Sequence, residues 1–336
     1  MHPLRVARHG LRWTCVAIAS SVLAGCMPVT RAPARVPPLD VPAGSIELYA
    51  VGDMADCRRD SPGDSAARLV SALVPQGATL LALGDLVYPY ADAEALAGCY
   101  EPTWGSHRAT TLAVAGNHDY VENESRTFRE YFALEGRAVS ERYVAYTERL
   151  SPDWLLVVVD SNVRGGALTR QLEWLRATLE SVRPVTGEDA PSTEAPRCLA
   201  VAWHAPLYSS GWHRGAGDHM RPYWELVDAY GADLVLNGHE HFYEAFAPFD
   251  ASGQPAASGP RQFTVGTGGA RLYGFWKPPY ASRARVLEFG VLRLVLAPGR
   301  YDWRFIDVDR RVRDAGSAEC RGARRAGGVP SAGDLG

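Results

Sequence analysis

Short runs of consecutive apolar residues recur along the chain and alternate with stretches that carry apolar residues at helical spacing. Unbroken apolar runs of this length are typical of strands that are buried on both faces. The sequence predicts such strands at residues 46–51, 79–83, 111–115, 155–159, 199–203 and 234–236. It predicts helices at residues 66–73, 168–179 and 220–229. The alternation indicates an α/β fold with a largely parallel component.

After residue 262 the pattern changes, because apolar runs at 263–265, 291–296 and 301–306 follow one another without helical stretches between them. Strands in quick succession predict an antiparallel region. One folded domain is therefore expected at residues 45–312. A tether rich in proline, alanine and arginine is expected before it at residues 26–44, and a disordered tail after it at residues 313–336.

The composition supports a folded body and narrows the choice of partners. Of the 336 residues, 46% are hydrophobic and 22% are charged, which is typical of a globular domain. The formal net charge is -3, and the body has no long basic run. Nucleic acid is therefore not expected as a specific partner.

The first residues have the pattern of an export signal. Three arginines precede an apolar run at residues 13–23, and small residues then lead to Cys26, which predicts a signal peptide at residues 1–25. The motif from Leu23 to Cys26 resembles the bacterial lipobox, which implies a diacylglycerol group on Cys26. Met27, rather than aspartate, then implies the outer membrane or its periplasmic face. The alternative is an ordinary signal peptide that contains a cysteine.

Export bears on the remaining cysteines. If Cys15 leaves with the signal peptide and Cys26 carries lipid, an even number of cysteines remains. They are Cys57, Cys99, Cys198 and Cys320. Three pairings are possible, and an oxidising compartment favours two bridges over four free buried thiols. Cys57 with Cys99 is preferred, because each follows a strand that ends in Gly-Asp; Cys198 would then pair with Cys320.

Polar clusters follow directly after the predicted strands. They are Gly52-Asp53, Gly84-Asp85-Leu86-Val87-Tyr88, Gly116-Asn117-His118-Asp119, His204 and Gly238-His239-Glu240-His241. Ligand sites in open α/β sheets form beyond the carboxyl ends of strands, so these clusters are expected to meet at one edge. Taken singly, each has a plainer explanation as a turn or a capping residue. Taken together, carboxylate, amide and imidazole groups suit a pair of Fe, Mn or Zn ions in a hydrolase site.

The order of these clusters resembles the calcineurin-like metallophosphoesterases and, within them, the small single-domain purple acid phosphatases. The resemblance extends over about residues 45–306. It implies a four-layer αββα sandwich of two mixed sheets, with a dinuclear metal centre at their carboxyl edge. The implied ligands of a ferric ion are Asp53, Asp85, Tyr88 and His241. The implied ligands of a divalent Fe, Zn or Mn ion are Asp85, Asn117, His204 and His239, with Asp85 as the bridge.

Tyr88 is the residue that distinguishes the purple acid phosphatases from their relatives. A phenolate is a hard anionic donor that favours ferric iron, although a tyrosine at this position could also be a core residue beside the site. The first motif departs from the family, because Asp53 is followed by Met54 and Ala55. Ala55 cannot supply the histidine ligand found in divalent-metal phosphodiesterases, which favours the tyrosine-bearing branch.

Two further histidines are candidates for contact with substrate. His118 could donate a proton to the leaving alcohol or could instead orient a metal ligand. His213 lies where the family supplies a substrate-facing histidine, but Arg214 could take that role. No role is assigned to the loop at residues 164–166 or to the stretch at 186–196.

The expected reaction is hydrolysis of small phosphate monoesters by attack of a metal-bound hydroxide. One alternative uses the same metals to cleave phosphodiesters of nucleotides or phospholipid head groups. A weaker alternative is a non-catalytic binding protein at the membrane surface that retains a relic metal site.

Overall fold

The computed structural model describes residues 41–58, 63–120, 125–183, 195–213, 217–276 and 282–321. The strands in these residues are β1 (Ile46–Val51), β2 (Thr79–Ala82), β3 (Thr111–Ala113), β4 (Tyr146–Arg149), β5 (Trp154–Val158), β6 (Cys198–Ala202), β7 (Leu234–Asn237), β8 (Tyr243–Phe246), β9 (Arg261–Val265), β10 (Ser282–Val286), β11 (Gly290–Ala297), β12 (Arg300–Asp307) and β13 (Val312–Glu319). The α-helices are α1 (Gly63–Ser71), α2 (Ala93–Ala95), α3 (Glu101–Trp104), α4 (Arg126–Tyr131), α5 (Gly166–Val182) and α6 (Arg221–Ala229). A π-turn at Leu96–Tyr100 joins α2 to α3, and short 3-10 helices occur at Gly105–Thr110, Asn117–Asp119 and Asp218–Met220.

The strands form two mixed sheets. The first has the order β13-β12-β11-β1-β2-β3, and the second has the order β10-β8-β9-β7-β6-β5-β4. In the first sheet β1, β2 and β3 are parallel, whereas β11, β12 and β13 are antiparallel to their neighbours. In the second sheet β5, β6, β7 and β9 are parallel, and β4, β8 and β10 add antiparallel pairs.

The side chains of β5 show how the layers stack. Leu156 and Val158 belong to the core between the sheets, which they share with residues of β1, β2 and β11. Leu155 and Val157 belong to a second core, where Leu175 and other residues of α5 and α6 cover the outer face. This division follows from the two-residue period of strand side chains. Both faces of the strand are buried, which explains its unbroken apolar run.

The outer face of the first sheet is covered by α1 and α3. Trp104 at the end of α3 is buried and donates its indole N–H to the Met54 carbonyl at 3.1 Å. Helices therefore lie outside both sheets, and the predicted four-layer αββα sandwich of two mixed sheets is confirmed.

The carboxyl-terminal part of the chain corrects two predictions. Strand β9 was expected in an antiparallel region, but it pairs in parallel with β7 and is antiparallel only to β8. Residues 313–319 were expected in a disordered tail, but they belong to β13, which pairs with β12 along its length. The prediction failed because the exposure of β13 alternates along an edge strand, so no apolar run marks it.

The two predicted disulfides are confirmed. Cys57 pairs with Cys99 at a Cα–Cα distance of 5.9 Å, and Cys198 pairs with Cys320 at 5.4 Å. Two bridges in one domain are typical of an exported protein.

Several predictions fall outside the described residues. These are the signal peptide, the lipid site Cys26, most of the tether, Arg214 and nearly all of the stretch at 186–196. Within the described ranges, no helix combines the length and the apolar character needed to cross a membrane.

Candidate metal centre

The polar clusters meet at one edge of the sandwich, as the sequence predicts. Asp53 lies two residues beyond the end of β1, and Asp85 lies three residues beyond β2. Asn117 follows β3, His204 follows β6 and His239 follows β7 at corresponding positions. The parallel strands of each sheet end at the same edge, so ligands from both sheets converge.

Tyr88 is at the centre of the first group of donors. Its Oη lies 2.6 Å from Asp53 Oδ1 and 2.6 Å from Asp85 Oδ2. His241 Nε2 lies 2.9 Å from the same Oη and 3.1 Å from Asp53 Oδ1. One phenol hydrogen cannot serve two carboxylates at once, whereas a cation among these atoms would satisfy them together. Oxygen and imidazole donors spaced by about 3 Å suit an ion with ligand distances near 2 Å.

The second group of donors shares Asp85 with the first. Asp85 Oδ2 lies 3.2 Å from His204 Nε2, and His204 Nε2 lies 3.2 Å from His239 Nδ1. Asn117 Oδ1 completes the group, 3.0 Å from His239 Nδ1. Asp85, His204 and His239 can by themselves surround one ion. Asp85 Oδ2 therefore contacts both groups of donors.

Backbone carbonyl groups orient two of the imidazoles. His204 Nδ1 lies 2.7 Å from the Leu83 carbonyl oxygen, and His241 Nδ1 lies 2.8 Å from the Arg271 carbonyl oxygen. Each Nδ1–H donates to its carbonyl, which directs Nε2 at the cluster, where a bound cation would take the place of an Nε2 proton. This tautomer is the one that metal-binding histidines need, so the chain fits a metal pair at this position.

Burial and neighbouring charges shift the pKa values of three candidate ligands in different directions. Burial opposes the charge of His204, but the Asp85 carboxylate outweighs it and raises the pKa of His204 to about 10. Burial and the neighbouring His204 lower the pKa of His239 to about 3. Burial, followed by the Asp53 and Asp85 carboxylates, raises the pKa of the Tyr88 phenol well above its usual value. A phenolate at this position therefore requires a strongly charged ion beside it.

The backbone adopts an unusual conformation at three of the ligands. Asp53, Asp85 and His239 have φ values of 56°, 54° and 71°, in the left-handed region that side chains other than glycine rarely adopt. Gly84 also has a positive φ, and a Cβ at that position would lie 2.6 Å from His204 Nδ1. Such conformations cost about 1–3 kcal/mol each and gather at functional sites.

His118 lies beside the centre. Its Nδ1 is 2.6 Å from the Pro89 carbonyl oxygen, and its ring is 4.4 Å from the ring of Tyr88. Its backbone N–H donates to Asp85 Oδ1 at 2.8 Å. The side chain can therefore face substrate while the backbone positions the bridging carboxylate.

His213 also lies beside the centre, next to a different candidate ligand. Its ring lies 4.9 Å from the ring of His239, and its Nδ1 lies 2.8 Å from Tyr273 Oη. The side chain remains 43% exposed, so it is open to a ligand. Arg214, the alternative residue for this role, is outside the described ranges.

Three residues that support the site were not predicted. Asp119 and Glu240 are buried and lie inside the ligand motifs, so their positions in the sequence could have indicated them. Tyr273 contacts the His239 carbonyl at 3.0 Å and Glu240 Oε2 at 3.1 Å. It comes from a loop without a recognisable motif, and the sequence offers no signal for it.

Comparison with known proteins identifies the family. The model of the calcineurin-like phosphoesterase family matches residues 48–243, which is more than half of the chain and includes all seven candidate ligands. The chain belongs to the calcineurin-like phosphoesterase family.

Among curated proteins, this calcineurin-like phosphoesterase is similar to purple acid phosphatases. It is 27% identical over 189 residues to Purple acid phosphatase 15 of Arabidopsis thaliana, which is 51% of this chain and 33% of that protein. It is 27% identical over 218 residues to Acid phosphatase type 7 of Danio rerio, which is 55% of this chain and 47% of that protein. The chain thus spans between a third and about half of the length of these relatives.

Solved structures show the same fold. A purple acid phosphatase, PPD1 from yellow lupin (Lupinus luteus) seeds, matches with a TM-score of 0.60 at 17% identity, over 84% of this chain and 55% of that chain. GAP50, the anchor in the inner membrane complex of Plasmodium, matches with a TM-score of 0.64 at 15% identity, over 83% and 90% of the two chains. At these identities the likeness establishes the fold alone.

Proposed function

We propose that the chain is a dinuclear metal phosphomonoesterase of the purple acid phosphatase type. The contact of Tyr88 Oη with two buried carboxylates, at 2.6 Å each, carries this proposal. A phenol placed between carboxylates and an imidazole is a costly arrangement unless a cation neutralises it. The curated relatives named acid phosphatases support the same reaction class.

The two donor groups would hold two different metal ions. In this proposal Asp53, Asp85, Tyr88 and His241 hold Fe(III), and Asp85, Asn117, His204 and His239 hold divalent Fe, Zn or Mn. The bound pair would supply an activated water as the nucleophile, and positive charge for the phosphoryl oxygens.

The chain's own side chains then complete the reaction. His118, fixed by its contact with the Pro89 carbonyl, protonates the departing alcohol oxygen. His213, held at Tyr273 Oη, donates to a phosphoryl oxygen from the other side. These two roles concern different oxygens of one phosphate, and the two imidazoles lie beside different candidate ligands, Tyr88 and His239.

The test compares the wild type with Tyr88→Phe, which keeps the ring but removes the phenolate oxygen. A ferric phenolate gives a strong visible charge-transfer band, so we expect a purple wild type and a colourless variant. Metal content and hydrolysis of p-nitrophenyl phosphate and bis-p-nitrophenyl phosphate are measured on the same samples. A colourless wild type that binds metal and hydrolyses phosphate esters would refute the tyrosine ligand. Faster cleavage of the diester would refute the monoesterase.

We also propose export with a lipid anchor on Cys26, at the outer membrane or its periplasmic face. The paired cysteines support export, and the motif from Leu23 to Cys26 supports the anchor. In cells fed radiolabelled palmitate, we expect label in the wild type and none in Cys26→Ser. Label retained by the variant would place the lipid elsewhere.

A further inference from the structure

A pocket of about 410 Å³ opens beside the metal centre. It is lined by the loop after β5, the first turns of α5 and the residues just before β4. Among the described residues that line it, three are arginines, Arg142, Arg164 and Arg170, and none is an aspartate or a glutamate. The described part of the wall therefore carries positive charge.

Two lining residues connect the pocket to the metal ligands. Tyr120 follows Asn117 by three residues, so their Cα atoms are at most about 11 Å apart. Asn162 donates from Nδ2 to the Ala115 carbonyl at 3.2 Å, just before the Asn117 loop. These two residues place the pocket next to the loop that carries Asn117.

A third contact ties the floor of the pocket to another ligand. Ser161 Oγ accepts the backbone N–H of Ala205 at 3.1 Å, and Ala205 directly follows His204. The loop that carries Arg164 is thus anchored on the loop that carries a metal ligand.

Asp160 is a buried residue whose carboxylate accepts hydrogen bonds from residues that line the pocket and from one beside it. It accepts from the Tyr120 hydroxyl, from Val144 N at 2.9 Å and from both the backbone and side-chain nitrogens of Asn162, at 2.9 Å and 3.0 Å. It is fully buried, and burial raises its pKa. These hydrogen bonds use the carboxylate oxygens of Asp160. Asp160 therefore fixes the floor of the pocket rather than pairing with the arginines.

The arginines are held at the rim by the chain itself. Arg164 Nη1 donates to the Ser161 carbonyl at 2.9 Å and to the Val163 carbonyl at 2.8 Å. Arg170 Nη1 lies over Gly166, 3.3 Å from the position that a Cβ would take there. A guanidinium placed in advance loses less entropy when it pairs with an anion.

We infer that this pocket binds a second anionic group of the substrate, a phosphate or a carboxylate, while the first phosphate is at the metal centre. Guanidinium groups match the planar oxygen pairs of both anions. The inference rests on the proposed function for the reacting phosphate. It narrows the substrates to phosphate monoesters that carry another anionic group at a fixed distance.

The test uses α,ω-alkanediol bisphosphates of increasing chain length, each compared with the alkanediol monophosphate of the same length. We expect kcat/KM for the bisphosphate to exceed that of its monophosphate by about tenfold or more at the length that spans both sites. In Arg164→Gln/Arg170→Gln this ratio falls towards one. Arg300→Gln removes one arginine charge at a surface pair with Asp302, away from the pocket lining, and it should preserve both the ratio and the basal activity.

A binding measurement separates this inference from the proposed chemistry. Titration calorimetry with alkanediol bisphosphonates and alkyl monophosphonates, which the enzyme cannot hydrolyse, reports affinity without turnover. We expect the wild type to bind the bisphosphonate about tenfold more tightly than the monophosphonate, and the double variant to bind the two ligands with equal affinity. A protein that shows this difference but hydrolyses no phosphate ester would refute the proposed function alone. Equal affinities in the wild type, or a preference that survives in the double variant, would overturn the inference.

Discussion

The Asp119 carboxylate ties together the two loops that carry Asp85 and Asn117. Its Oδ2 accepts the backbone N–H groups of Asp85 at 2.9 Å and Gly116 at 2.8 Å, and its Oδ1 accepts that of Leu86 at 3.0 Å. The residue is 2% exposed, so water cannot replace these bonds. Asp119 is therefore a positioning residue, and its removal tests whether the metal centre depends on these loops.

Asp119→Asn keeps the shape but turns one acceptor oxygen into an amide donor. The amide then faces at least one of the three backbone N–H groups, which loses its acceptor. A buried donor without a partner costs about 1–3 kcal/mol, so we expect the free energy of unfolding to fall by that amount. Asp119→Ala leaves all three donors without a partner and should cost at least about 3 kcal/mol.

Urea unfolding of the metal-loaded, oxidised protein measures this loss, with metal affinity from chelator competition on the same samples. Affinity should fall about 10- to 100-fold in Asp119→Asn, because the bridging ligand is less firmly placed. Asp309→Asn is the control, since Asp309 is 62% exposed and pairs with the exposed Arg311, and it should change stability by less than about 0.5 kcal/mol. Wild-type stability together with wild-type metal affinity in Asp119→Asn would refute the reasoning.

Three further results are expected. His118→Ala should lower kcat on alkyl phosphates by about 10²- to 10⁴-fold, with a much smaller effect on p-nitrophenyl phosphate, whose leaving group needs no proton. Equal losses on both would make His118 an orienting residue instead. Replacing Cys198 and Cys320 by serine opens a loop with a sequence separation of 122 and should lower stability by up to about 5 kcal/mol in urea unfolding; no loss would mean that the bridge leaves the unfolded chain unrestricted. Burial lowers the pKa of His219, so the unfolded chain takes up its proton first and stability should fall as the pH drops below about 6.5. Urea midpoints between about pH 7 and pH 5 should show a flatter profile in His219→Gln, and an identical profile would contradict this.

Most of the strands that the sequence predicts have both faces buried. Such strands need apolar residues at every position, so each appears as an unbroken run. The strands missed are of a different kind: β4, β10 and β13 lie at sheet edges, where polar residues face solvent and interrupt the pattern. Strand β8 is buried but contains Glu244, which accepts from Ser210 Oγ at 2.6 Å. In the sequence, a buried carboxyl that accepts tertiary hydrogen bonds has the same pattern as a residue at the surface.

The candidate metal ligands could be predicted because the chain itself brings them to strand ends. Once parallel strands form, a residue just beyond each carboxyl end has little freedom to be elsewhere. Tyr273 and Arg170 have no such constraint. Their places depend on how loops and helices pack against the finished sandwich, and no local pattern records that packing.

The residues expected to carry out the reaction and the residues expected to select the substrate therefore differ in how strongly the fold constrains them. Asp53, Asp85 and His239 hold left-handed conformations that only the assembled sheets can maintain, so substitutions there damage the reacting centre itself. Arg164 and Arg170 are exposed residues on a loop and a helix, and they can change without disturbing the strands. Members of the family that share the strand-end ligands are therefore expected to share the reaction but not the pocket. Transplanting residues 161–170 into a relative should transfer a preference for a second anionic group, and not a change in the metals, because the ligands remain on the strands.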